Sequence, residues 1–134
     1  VHIFGNNATS GGGIFLTSIT PATLSESTLS DNTAALNGGA LYVGSTSSIT
    51  TSGGVSVTNN SAQYGGGVYL AFSAGNNGKM SVMDTTITLN TATVGGGGVF
   101  RGASASGWTC GSGCSVTGNT AGYGENLATG TRQL

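Results

Sequence analysis

One short phrase recurs five times along this chain: an aliphatic residue, two variable residues, Asn, one variable residue, Ala. The copies are Ile3-Phe-Gly-Asn6-Asn-Ala8, Leu29-Ser-Asp-Asn32-Thr-Ala34, Val57-Thr-Asn-Asn60-Ser-Ala62, Ile87-Thr-Leu-Asn90-Thr-Ala92 and Val116-Thr-Gly-Asn119-Thr-Ala121. Successive Asn residues stand 26, 28, 30 and 29 positions apart. A period of this size belongs to stacked repeats, in which one unit cannot bury its own apolar face and must share a core with its neighbours. After the first four copies a Gly-rich run leads into an apolar segment, as in Gly38-Gly39-Ala40-Leu41-Tyr42 and Gly65-Gly66-Gly67-Val68-Tyr69.

Short apolar segments bounded by Gly, Asn and Ser turns read as strands, and no segment has a capped 3.6-residue pattern. About three strands per repeat fit one turn of a parallel β-helix, with each strand beside its copy in the next coil. The expected fold is all-β: a single-stranded parallel β-helix of about five coils, 26–30 residues each, spanning 1–134 as one domain. Two segments interrupt the regular coil, 71–79 and 101–114, and are expected to protrude as loops. Aligned without gaps on Asn, the position ten residues on holds Leu16, Tyr42, Leu70 and Phe100, which this register turns inward. The next position turns Arg101 outward.

In this register Asn6, Asn32, Asn60, Asn90 and Asn119 form a ladder, each amide bonding turn backbone and the next Asn. The Gly runs suit sharp corners with unusual dihedrals. A phosphate-cradling loop would need a following helix and usually a Lys, and neither is there.

Composition narrows the function. Charged residues make up 5% of the chain and the formal net charge is -1. Three Lys and Arg cannot form the basic stripe of a nucleic-acid binder. With 20 Thr, 17 Ser and 11 Asn, the chain is polar without charge, as suits a secreted or surface protein. No apolar run approaches a transmembrane span. A chain opening on Val1 is expected to be a mature fragment with any signal peptide outside it.

Cys110 and Cys114 are too few for a zinc site without nearby His. A local disulfide in an oxidising compartment fits their spacing; two free thiols is the other reading. No metal and no cofactor is expected. Asn7-Ala-Thr9 and Asn59-Asn-Ser61 are N-glycosylation sequons, with Asn7 and Asn59 as surface acceptors. Trp108 reads either as a recognition residue of the second loop or as a side chain folded over the flank of the core. Glu26 and Asp84 share a column two coils apart, roughly 10 Å by strand spacing. That could suit an inverting carboxylate pair, but no aromatic subsites accompany them. Ice binding would need a regular Thr-x-Thr column. Thr86-Ile87-Thr88 taken with Glu26/Thr28 and Ser56/Thr58 reads as too irregular.

Leu29-Ser-Asp-Asn32 and Gly38-Gly39-Ala40-Leu41 resemble the two signature tetrapeptides of polymorphic outer membrane protein repeats. In that family Phe or another apolar residue precedes Asn by three, whereas this chain uses Ile, Leu or Val. The resemblance implies a right-handed parallel β-helix on a cell surface, often adhesive.

The expected function is an extracellular, non-enzymatic structural protein. Its units would stack through open β-helix ends into a fibre or surface layer, with glycans on its surface. The alternatives are a surface adhesin or carbohydrate-binding module, and a β-helix polysaccharide lyase or hydrolase.

Overall fold

The computed structural model describes residues 1–17, 21–73, 76–102 and 107–130. It is a parallel β-helix of four full coils and a partial fifth, with no helix among the described residues. Each full coil contributes four short strands rather than the three expected, one to each of four parallel sheets. The first sheet stacks His2–Phe4, Thr28–Ser30, Val55–Thr58, Thr85–Thr88 and Cys114–Thr117. The second stacks Asn7–Ser10, Thr33–Asn37, Ser61–Tyr64 and Thr91–Gly95, with bridges to Thr120 and Tyr123. The third stacks Ile14–Leu16, Leu41–Val43, Val68–Leu70, Val99–Arg101 and Leu127–Thr129. The fourth stacks Ala22–Ser25, Ser48–Ser52, Lys79–Val82 and Trp108–Cys110.

Three corners in each coil are left-handed, and the sequence repeats them in register. Before every ladder Asn sits a residue of positive φ: Gly5, Asp31, Asn59, Leu89 and Gly118. The entry to the third sheet turns at Gly11, Gly38, Gly65, Gly96 and Gly124. The entry to the first sheet turns at Glu26, Gly54, Asp84 and Gly113. Glu26 and Asp84 thus occupy one corner column as turn residues, a conformation that Asp tolerates better than most. The Gly after each of the first four of these glycine corners, Gly12, Gly39, Gly66 and Gly97, serves a second need, close approach. A Cβ on Gly39 would lie 2.1 Å from the carbonyl oxygen of Gly66.

The core is the space enclosed by the sheets. Leu29, Val57 and Ile87 fill it from the first sheet, Leu41, Val68 and Val99 from the third, and Ile49, Met80 and Val82 from the fourth. Ala34, Ala62 and Ala92 are buried on the second sheet, where the walls stand close.

The ungapped register fails at one place in alternate coils. Gly11 follows Asn6 by five residues, but Gly38 follows Asn32 by six; Gly65 and Gly96 repeat the alternation. The extra residue is absorbed as a register shift near the end of the second sheet, between Ala8 and Ser10 and again between Ala62 and Tyr64. The third sheet therefore pairs Leu16 with Val43, and Leu70 with Val43 and Arg101. Arg101 extends an inward column instead of facing out, and its Nη2 donates to Thr129 Oγ1 at 2.9 Å. Tyr42 and Phe100 lie in a different, outward column.

The two interruptions also resolve differently. Within 71–79, Phe72–Ser73 and Asn76–Asn77 pair as an antiparallel hairpin. Within 101–114, the strand Trp108–Cys110 belongs to the fourth sheet, so this segment is not a loop throughout; residues 103–106 lie outside the described residues.

Candidate functional site

The most extended polar feature is the Asn ladder. Asn32, Asn60 and Asn90 are at most 1% exposed and Asn119 is 5% exposed. Each rung gives its backbone N–H and its Nδ2 to the Oδ1 of the next rung. The backbone distances are 3.0, 2.9, 2.9 and 2.9 Å from Asn6 to Asn119. The Nδ2 also reaches back one coil: Asn60 to Leu29 O at 3.0 Å, Asn90 to Val57 O at 2.9 Å. One amide therefore links three successive coils, and these buried polar groups are satisfied as burial demands.

The ladder has different ends. At the C-terminal end Asn126 supplies the last acceptor, taking the Asn119 N–H at 3.2 Å and its Nδ2 at 3.0 Å. At the N-terminal end Asn6 is exposed, and among the described residues nothing donates to its Oδ1. Among the described residues, all four sheets end there in an edge strand paired on one side only. Ile3, Ile14, Leu16 and Leu24 pack on the core at this end but are only partly buried.

Cys110 and Cys114 form a disulfide with Cα atoms 5.5 Å apart, closing the corner between the fourth and first sheets in the last coil. Trp108 stands in register with Met80, and through it Ile49 and Ala22, and packs against the core. It is part of the wall at the C-terminal end rather than the tip of a recognition loop. The sequon residues Asn7 and Asn59 are both exposed. Among the described residues no group of three or more His, Cys, Asp or Glu could hold a metal.

Two surface features lie outside the expectations drawn from the sequence. The first is an aromatic column on the outer face of the third sheet: Phe15, Tyr42, Tyr69 and Phe100, stacked with ring centroids 4.6, 5.4 and 5.3 Å apart. Burial, then the neighbouring phenols of Tyr42 and Tyr64, push the Tyr69 hydroxyl above the usual tyrosine range. The second is a pair of hydroxyl columns on the first sheet. Thr28, Ser56, Thr86 and Ser115 are in register, as are Ser30, Thr58, Thr88 and Thr117. The counterpart of Thr86 two coils back is Thr28, not Glu26, so the hydroxyl rows are regular where they read as irregular. Spacing from Asn, four and two residues before it, would have found both columns.

Residues 26–44 match the Chlamydia polymorphic membrane protein repeat. The matched stretch holds one ladder Asn, Asn32, and one glycine corner at Gly38 and Gly39. No curated protein and no solved structure matches the chain. No helix among the described residues is long and apolar enough to cross a membrane. The match is compatible with a place at the cell surface. The chain carries repeats of the polymorphic membrane protein type, wound into a parallel β-helix.

Proposed function

We propose that this protein is a non-catalytic structural unit of a cell surface, joined to further β-helix coils through its N-terminal face. The observation that supports this reading is the asymmetry of the ladder. The N-terminal face offers the Asn6 Oδ1, four unpaired strand edges and a partly covered core. An added coil would meet each of these with the same bonds that join the coils within the chain. The C-terminal face is partly sealed, because Asn126 already stands where the next rung would. Stacking of one copy on another therefore requires Asn126 to yield to Asn6 of the incoming unit. Surface glycans at Asn7 and Asn59 would decorate the sides of such a stack without blocking its ends.

Electron microscopy of the purified protein tests this directly. Filaments with an axial repeat of about 20–25 Å, the height of one unit at about 4.8 Å per coil, are expected. Substituting Ile14→Lys on the N-terminal face should disperse them. Strictly monomeric protein at millimolar concentration by analytical ultracentrifugation would sink the self-stacking reading.

A further inference from the structure

The corner between the second and third sheets holds a pocket that the structural role does not use. The end of the second sheet aligns Ser10, Asn37, Tyr64, Gly95 and Tyr123 in successive coils. The outer face of the third sheet aligns Phe15, Tyr42, Tyr69, Phe100 and Ala128. The two columns converge across the glycine corner, where Tyr64 meets Phe100 edge-on with centroids 5.0 Å apart. Near the C-terminal end a small residue enters each column. Gly95 separates Tyr64 from Tyr123, and Ala128 follows Phe100. The Tyr123 ring leans over Gly95, near enough that a Cβ there would lie 2.6 Å from it. The ring thus takes the space that a side chain at Gly95 would occupy. Beside it lies an open pocket of about 320 Å³, walled by Asn37, Tyr64, Tyr69, Phe100, Tyr123 and Gly102.

We propose that this pocket binds a neutral saccharide, a terminal sugar or a short stretch of a chain. Its volume lies at the lower end of the range for small-ligand pockets, about 300–1,000 Å³. None of the walling residues is charged, so the pocket has no fixed charge to offer an anionic or cationic ligand. Three phenol hydroxyls and one amide supply both donors and acceptors, the mixture a polyol needs. Tyr64 and Tyr123, both half-buried, supply ring surface for the C–H groups of a pyranose, while Tyr69, its faces taken by Tyr42 and Phe100, offers its edge and hydroxyl. Tyr pays little rotamer entropy on binding, and the Tyr69 ring is already fixed between Tyr42 and Phe100. Its raised pKa keeps the hydroxyl a donor at any ordinary pH. An open pocket of this depth gives weak affinity for one sugar, and repeated copies on a stack would add to it by multivalency. The inference does not rest on stacking: a monomer carries the whole pocket.

The test is a titration of the ¹⁵N-labelled protein with xylohexaose, mannohexaose and chitohexaose, followed by NMR. At least one should give saturable shifts confined to Asn37, Tyr64, Tyr69, Tyr123 and the adjacent glycines, with Kd of about 1 mM or tighter. Asn37→Ala and Tyr64→Ala should each weaken that binding about tenfold, while the Trp108 indole resonance and the melting temperature stay near those of the parent. If Tyr64→Ala lowers the melting temperature, Asn37→Ala alone decides. A proline-rich peptide, the other ligand that aromatic clefts accept, is titrated in parallel. Shifts from the peptide but from none of the three sugars overturn the proposal. So do sugar shifts that Asn37→Ala leaves unchanged.

Discussion

Asn32 gives both its backbone N–H and its side-chain amide to the Oδ1 of Asn60, at 2.9 and 3.1 Å. Two donors of one coil thus depend on a single oxygen of the next, and Asn60 in turn depends on Asn90. Asn60→Ala would strand the Asn32 donors and the Leu29 carbonyl inside the stack. Unfolding in urea should show a loss of about 3–5 kcal/mol, because several buried polar groups lose their partners together. Asn6→Ala, at the exposed end, should cost no more than about 1 kcal/mol. Equal losses at both sites would show that the rungs do not act through burial.

Leu89 holds a φ of 58° immediately before Asn90, in a column otherwise occupied by Gly, Asp and Asn. A branched side chain in the left-handed region carries a steric cost of about 1–2 kcal/mol, which Asn largely escapes. The Leu89 side chain is 59% exposed, so little packing is lost on replacing it. Leu89→Asn should therefore stabilise the protein by about 0.5–1 kcal/mol, read as a rise in the urea midpoint at unchanged slope.

Gly39 and Gly54 separate two reasons for glycine. Gly54 has a φ of 86° and open space where a Cβ would stand, whereas Gly39 meets neighbouring backbone. Gly54→Ala should cost about 1 kcal/mol, the backbone preference alone. Gly39→Ala must push the adjacent coil away and should cost about 3 kcal/mol or more. Thermal melts of the two variants give the comparison.

Tyr69 makes stability depend on alkaline pH. Its folded pKa lies above the unfolded value of 10.0, so the folded state holds the proton more tightly. The associated stability is whole below pH 10 and declines as pH rises from there through the folded value. Melting temperatures between pH 8 and 11.5 should fall at the alkaline end, and Tyr69→Phe should flatten that part of the curve.

The Asn spacing made the solenoid and its ladder legible, because a buried amide recurring on every coil tolerates no substitute. The glycine corners were legible for the same reason. What the spacing hid was the extra residue between Asn32 and Gly38 and between Asn90 and Gly96. A strand can absorb one residue as a bulge without moving the corners that flank it. That single slip placed Tyr42 and Phe100 in the core, turned Arg101 outward and concealed the aromatic column. Trp108 was ambiguous for another reason. Among the described residues no strand follows Trp108 in its sheet, so its column held no later copy to compare it with.

The one-way hydrogen bonding of the ladder sets a rule for how such a rod can change its length. Every internal coil receives two donors and passes on two, so a duplicated coil inserted between Asn32 and Asn60 would find its bonding complete on both sides. The coil carrying Asn126 alone lacks this freedom, since it ends the sequence of donors within itself. Gene duplication can therefore lengthen this molecule from within while the coil that carries Asn126 stays the same.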